Sequence, residues 1–440
     1  MQPDINNGII QPTQEKESFR ALLISAYKGS SHKAICLEHL QELVLLAETY
    51  GVEILGKMPC VVRRYEAGTY ITEGKLAEAV AIVKEVDANL VIFDDEISPG
   101  QQRNLEKAFG VPVIDRTEVI LGVFAQRAQT KEAKLQIELA QVRYQAPRLR
   151  RLWTHLSRQH GSGGGGSGGG GYTKGEGEKQ IEIDRRILKR KIDLLQKELE
   201  EVRSHRETQR GSRQRSEIPV FAIIGYTNVG KSTLLNAITN AGVFVENKLF
   251  ATLDTTTRKY TLPNNQEILL IDTVGFIRKL PHLLVAAFKS TLEEAFQADI
   301  LLHLVDTSHP MVEEQAKTTY EVLKELNAED KPIITVLNKI DLCTDPEVIA
   351  RLTLKYPKSV QISALKNTGL QNLYDLMVLE LSKQRHIVTL RIPQSDYGVV
   401  SEVMRLGHIV EQEYEDNDVL LKVDLPSVNL QKLKKYLQEP

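Results

Sequence analysis

The segment Gly225-Tyr226-Thr227-Asn228-Val229-Gly230-Lys231-Ser232 lies between an apolar run, Val220–Ile224, and a helical one, Thr233–Ile238. A strand, a GxxxxGKS loop and a helix in that order make a phosphate-binding loop. Glycines let backbone N–H groups close around a β-phosphate, and the helix N-terminus adds positive dipole. Lys231 is placed to bridge phosphates and the Ser232 hydroxyl to ligate magnesium. The loop alone leaves ATP and GTP equally open.

Asn338-Lys339-Ile340-Asp341 narrows the choice. It follows the strand pattern Ile333–Leu337, at the carboxyl edge where open α/β sheets bind ligands. The Asp341 carboxylate can accept hydrogen bonds from guanine N1–H and the 2-amino group, a pair adenine cannot offer. A lone NKxD is more often a solvated turn. Here Ser363-Ala364-Leu365 stands after the next strand, where a backbone N–H can meet guanine O6, and the two boxes together read as guanine specificity.

Between them, Asp272-Thr273-Val274-Gly275 closes the strand Glu267–Ile271, which places Asp272 to hold magnesium through water and the Gly275 N–H near a γ-phosphate. Phe276 stands next, where many GTPases carry a glutamine that orients the attacking water. A phenyl ring cannot do that, so slow intrinsic hydrolysis and a need for a partner or a rearranged loop are expected. Upstream, Phe250-Ala251-Thr252-Leu253-Asp254-Thr255-Thr256-Thr257-Arg258 offers threonines for a first switch, one hydroxyl of which must reach magnesium. Thr252 is the first choice and Thr256 the second. The expected site therefore comprises residues 225–232, 250–254, 272–275, 338–341 and 363–365, binding GTP or GDP with Mg2+. Lys231, Thr252 and Gly275 act in hydrolysis, and Ser232 and Thr252 hold the metal.

At 440 residues the chain exceeds what one core usually fills. An α/β protein of four parts is expected. The first is an N-terminal α/β domain, 1–127, where short runs (Ala21–Ile24, Val52–Leu55, Asn89–Phe93, Val111–Ile114) alternate with helical patterns (Leu37–Thr49, Lys75–Lys84) around a partly parallel sheet. A helical hairpin arm, 128–215, pairs Arg127–His160 with Glu182–Arg203 across a flexible Gly/Ser-rich loop, 161–171. A doubly wound P-loop domain, 216–384, has strands near Val220–Ile224, Glu267–Ile271, Ile300–Val305, Ile333–Leu337 and Ser359–Ile362. A small C-terminal α+β domain, 385–440, reads strand (Ile387–Ile392), helix (Val399–Leu406), two strands (His408–Tyr414, Val419–Val423) and helix (Leu430–Leu437).

With these boxes the chain resembles the HflX family of translation-factor GTPases, from about Ala21 to Pro440. The similarity is carried outside the nucleotide boxes by Asp115-Arg116-Thr117-Glu118, Phe124-Ala125-Gln126-Arg127-Ala128, Pro147-Arg148-Leu149-Arg150, Trp153-Thr154-His155-Leu156-Ser157-Arg158 and Glu182-Ile183-Asp184-Arg185-Arg186. The resemblance implies that Thr252 is the switch threonine of an FATLD box and Phe276 the apolar substitute for glutamine. It also implies binding to the large (50S) ribosomal subunit, with splitting of stalled or idle ribosomes. Two positions depart from the family pattern: Thr255 replaces a common proline, and Gly175-Glu176-Gly177-Glu178-Lys179-Gln180 replaces a GPGETQ-like segment.

Charge bears on the partner. The formal net charge of -2 excludes a uniformly basic coat, yet residues 127–160 hold eight Lys/Arg against Glu132 and Glu138. With the Arg203–Arg215 cluster they could supply phosphate contacts to ribosomal RNA, although a charge run usually marks a solvated face. A GTP-dependent switch for protein effectors is the alternative class. An ATPase conflicts with Asn338, Lys339 and Asp341, while ATP use through the N-terminal domain, which the resemblance raises, stays open although residues 1–130 show no phosphate loop. Cys36, Cys60 and Cys343 form no CxxC pair and read as reduced thiols. Met1–Glu17 lacks signal-peptide order and no apolar run reaches membrane-spanning length, so a cytoplasmic protein is expected, with peripheral membrane association left open. A monomer is expected too, though no residue pattern bears on oligomeric state.

Overall fold

The computed structural model describes residues 18–148, 174–213, 218–239, 249–253, 255–281, 284, 298–326, 328, 330–383, 385–415, 417–426 and 433–438. The Gly/Ser tract and Asp254 lie outside them.

The N-terminal sheet has the order β2-β1-β3-β4, formed by β1 (Arg20–Lys28), β2 (Glu53–Val62), β3 (Leu90–Phe93) and β4 (Val113–Asp115). Every pairing in it is parallel, where a partly parallel sheet was expected. The cause is connectivity: α1 (Lys33–Tyr50), α2 (Glu73–Glu85) and α3 (Pro99–Phe109) each return the chain for another parallel strand. Helices on the faces bury β1 from Ala21 to Ala26, which is why it reads as a continuous run rather than an alternating one. Asp115, the last residue of β4, caps α4 (Arg116–Arg127) by accepting from the Glu118 N–H at 3.1 Å.

In the arm, α5 (Lys131–Gln145) starts at its cap Thr130 and packs on α6 (Lys174–Arg213). Leu135, Leu139 and Val142 meet Leu188, Leu195 and Leu199, the three- and four-residue spacing of facing helical stripes. The second helix runs on through 204–213, beyond its expected end at Arg203. That stretch has no apolar stripe, but its Arg, Glu and Gln favour helix and it contains no proline.

The second sheet has the order β10-β9-β8-β5-β7-β6. The strands β5 (Val220–Gly225), β7 (Glu267–Asp272), β8 (Ile300–Asp306), β9 (Ile333–Asn338) and β10 (Ser359–Gln361) pair in parallel. The edge strand β6 (Thr256–Thr261), antiparallel to β7, was not anticipated. Its sequence, TTRKYT, lacks an apolar face and exposes Arg258 and Lys259, as suits a sheet edge. Around this sheet lie α7 (Lys231–Thr239), α8 (Val312–Glu325), α9 (Pro346–Lys355) and α10 (Leu370–Ser382).

The last unit is an antiparallel sheet, β11-β13-β12, of β11 (Arg385–Pro393), β12 (His408–Glu415) and β13 (Asp418–Pro426), backed by α11 (Tyr397–Leu406). Its core gathers Leu390, Leu421 and Val423 under Val400 and Val403. Of the expected helix Leu430–Leu437, the described part forms a single 3-10 turn, Lys434–Tyr436. No helix among the described residues is long and apolar enough to cross a membrane.

Candidate nucleotide site

Strand β5 delivers the loop and α7 receives it. Gly225 has φ 148° and Gly230 φ 96°, conformations that side-chain-bearing residues rarely adopt. A Cβ on Gly225 would lie 2.5 Å from the Leu304 carbonyl oxygen, and one on Gly230 would lie 2.6 Å from Asn338 Nδ2. Both glycines are thus fixed by close approach as well as by backbone shape. Lys231 Nζ donates to the carbonyls of Gly225 (3.3 Å) and Tyr226 (2.8 Å). Burial pushes its ammonium down to about 8, with Asp272 pulling the other way. The loop borders an open cavity whose walls include Thr227, Lys231, Ser232, Ala251, Thr252 and Gly275.

Three oxygen-bearing side chains converge at one end. Ser232 Oγ lies 2.7 Å from Thr252 Oγ1 and donates to Asp272 Oδ2 at 2.6 Å. The other carboxylate oxygen, Asp272 Oδ1, is buried without a partner among the described residues. Burial raises the Asp272 pKa while Lys231 opposes that rise. Two hydroxyls and a half-satisfied carboxylate suit a hard, oxygen-seeking cation such as Mg2+. Thr256, the second-choice switch threonine, is instead in β6, paired by register with Asp272. Phe250 and Leu253 are buried, the Phe250 ring meeting Phe124 edge-on at 4.5 Å between centroids.

The segment after Asp272 is tied to the phosphate loop by backbone. Phe276 N–H donates to the Gly225 carbonyl at 3.0 Å, and Thr227 N–H to the Phe276 carbonyl at 2.7 Å. Thr273 Oγ1 donates to Ile223 O at 2.8 Å, and Val274 is buried. The Phe276 ring is 2% exposed and forms no part of the cavity wall.

At the base end, Asn338 is a strut. Its Nδ2 donates to the Val229 carbonyl at 2.8 Å and its Oδ1 accepts from the Ala364 N–H at 3.0 Å, joining three boxes. The Ala364 amide, one of those expected to face guanine O6, is thereby engaged with Asn338. Lys339 donates to the Asn228 carbonyl at 2.8 Å and pairs with Asp306 at 2.7 Å. Ile340 is half-buried and donates its N–H to Ile362 O at 3.3 Å. A hydrogen bond from Ser363 holds the Asp341 carboxyl below its ordinary range, with Lys366 at 3.4 Å. Asp341 Oδ1 has no partner among the described residues. The Leu365 side chain is exposed, so only its backbone could serve a base.

The Tyr226 side chain turns away from the cavity toward the N-terminal domain, where its hydroxyl donates to Glu42 and accepts from the Arg278 N–H at 2.8 Å. Around it lies a buried ionic cluster that sequence reading missed. Arg278 grips Asp94 at 2.8 and 2.9 Å, and Arg116 donates to Asp94 and to the Arg278 carbonyl, each at 3.1 Å. Arg116 also pairs with Glu42, and Lys279 with Asp95. Burial disfavours the Asp94 charge, but Arg116 and Arg278 outweigh it and hold the carboxyl below its usual range. The N-terminal domain therefore grips the segment that starts three residues after Gly275.

A doubly wound sheet with a glycine-rich phosphate loop, a serine, threonine and aspartate oxygen set, and an NKxD box against it defines a P-loop GTPase. A family model described as "50S ribosome-binding GTPase" matches residues 220–339, and models described as "GTP-binding GTPase N-terminal" and "GTP-binding GTPase Middle Region" match 37–125 and 127–213. GTPase HflX of Chlamydia pneumoniae is 47% identical over 427 residues, covering 97% of this chain and 90% of that protein. GTPase HflX of Escherichia coli K12 is 42% identical, covering 92% and 93%. Among solved structures, a GTP-binding protein from the archaeon Sulfolobus solfataricus in complex with GDP is 26% identical, covering 82% of this chain and 98% of that one, at a TM-score of 0.42. The chain belongs to the HflX family of GTPases, and it is a GTP-hydrolysing enzyme.

Proposed function

We propose that this protein is a Mg2+-dependent GTPase of the cytoplasm that binds the large ribosomal subunit as a monomer and hydrolyses GTP to GDP and phosphate, acting in ribosome splitting, rescue or biogenesis. The observation that carries the nucleotide reading is that the two half-satisfied carboxylates, Asp272 at the end of β7 and Asp341 after β9, follow strands on opposite sides of β5, which delivers the phosphate loop. One suits a cation, the other a guanine edge.

In this reading Ser232 and Thr252 hold the metal directly and Asp272 holds it through water. The bound metal would neutralise charge on the β- and γ-phosphate oxygens. Lys231 exchanges its two loop carbonyls for phosphate oxygens, Gly275 offers its N–H to the γ-phosphate, and Asp341 selects guanine. Phe276 supplies no polar group, so the ribosomal partner completes or reshapes the site. Hydrolysis then removes the γ-phosphate contacts of both switches and releases the protein.

The family description and the relatives support the ribosomal partner, and the basic arm supplies its electrostatics. One cation is withdrawn from that count: Arg148 is buried, stacked 3.7 Å over the Tyr144 ring and donating to Ile97 O at 2.8 Å. Sedimentation with purified large subunits tests this. Pelleting with a non-hydrolysable GTP analogue, weakened with GDP and by salt, is expected; pelleting that ignores both nucleotide and salt would contradict it.

A further inference from the structure

We infer that Thr227 is a catalytic residue for GTP hydrolysis, its hydroxyl donating a hydrogen bond to the γ-phosphoryl group as it is transferred. This rests on the nucleotide placement proposed above. Thr227 is 5% exposed, and its Oγ1 is buried with no hydrogen-bond partner among the described residues. An unpaired buried hydroxyl is costlier than an apolar group of the same shape, and valine has that shape. The hydroxyl is therefore unfavourable for the fold by itself and calls for a ligand.

Its surroundings say which ligand. The paired backbone bonds between Phe276 and the loop fix Thr227 against Gly275. A Cβ on Gly275 would lie 2.8 Å from Lys231 Nζ, 2.8 Å from Thr227 Cα and 2.8 Å from Thr227 Cγ2. The lysine that bridges phosphates, the glycine whose N–H addresses the γ-phosphate and the threonine side chain thus share one small space. Thr227 also borders the cavity with Ser232 and Thr252, whereas the Phe276 ring does not.

In the reaction, a water oxygen bonds to the γ-phosphorus as the bond from that phosphorus to the β–γ bridging oxygen breaks. The electron pair leaves with GDP, and the water proton ends on an oxygen of the released phosphate. Negative charge stays on the transferred oxygens throughout, so a fixed donor there stabilises the transition state without losing its own proton. Thr227 would supply the neutral polar contact that Phe276 cannot.

The test compares Thr227→Val, which keeps the volume and removes the hydroxyl, with Thr227→Ser, which keeps the hydroxyl. Single-turnover GTP cleavage and GDP affinity are measured in the full chain. For Thr227→Val, cleavage about 100-fold slower with GDP affinity unchanged is expected, and Thr227→Ser should recover to within about tenfold of the parent rate. Thr227→Ala gives the same readout should the valine variant not fold. Parent-like cleavage by the valine or alanine variant overturns the inference, as does an equal loss in all variants or a matching loss of GDP affinity. Failure of the unaltered chain to bind GDP would instead sink the nucleotide placement itself.

Discussion

At Gly275 the missing side chain is the functional feature. A single methyl would meet Lys231 Nζ and Thr227 Cα, each at 2.8 Å, and backbone cannot yield as a flexible side chain can. Gly275→Ala should therefore keep GDP binding and lose most GTP cleavage, read by single-turnover assay; full cleavage would show the loop free to move aside. Lys231→Ala should abolish measurable nucleotide affinity. Asp341→Asn should trade guanosine for xanthosine nucleotides, since the amide can donate to the xanthine 2-oxygen, and competition binding reports the exchange. The boxes that carry these residues were legible in the sequence because each is short and its residues sit in consecutive positions. The Tyr226 side chain was not, because a loop motif specifies backbone and says nothing of where a variable ring will point.

At the scale of elements, β8 carries a group the nucleotide chemistry does not use. His303 is fully buried, both ring nitrogens lack partners among the described residues, and Tyr320 and Tyr356 meet it edge-on at 5.0 and 6.3 Å. Burial pushes its pKa down to about 3, against about 6.5 in an unfolded chain. Well above pH 6.5 the ring is neutral in both states, so its titration leaves stability unchanged there. As pH falls from there toward 3, the unfolded chain takes a proton that the fold excludes, so stability drops by up to about 1.4 kcal/mol per pH unit. His303→Phe should lose less stability than the parent between pH 7 and pH 5, by about 2 kcal/mol in urea unfolding; parallel losses would refute it. The run Ile300–Val305 announced a buried strand but hid that one of its members is a histidine held neutral. The edge strand β6 escaped for the opposite reason, since a polar strand leaves no period to read.

For the whole molecule, the ionic cluster around Asp94 joins the N-terminal domain to the segment after Gly275. Glu42 and Tyr226 meet across 184 residues of sequence, as do Asp94 and Arg278. No local pattern announces such a pair, and that is why the contact could not be read from the sequence. Asp94→Ala would leave the buried Arg116 and Arg278 with Glu42 as their one shared carboxylate, a loss of about 3 kcal/mol. A lowered denaturant midpoint is expected, and an unchanged one would mean that the two arginines find other partners. The same cluster holds Tyr226 of the phosphate loop, so the nucleotide loop and the N-terminal domain are parts of one connected structure.

Phe276 stands where a water-orienting glutamine would, and the proposed role leaves completion of the site to the ribosome. GTP hydrolysis measured with and without purified large ribosomal subunits, at low and moderate salt, tests it most directly. Slow turnover alone and strong stimulation by the subunit, fading as salt rises, are expected; nucleotide binding with no stimulation at either salt would overturn the ribosome-completed site.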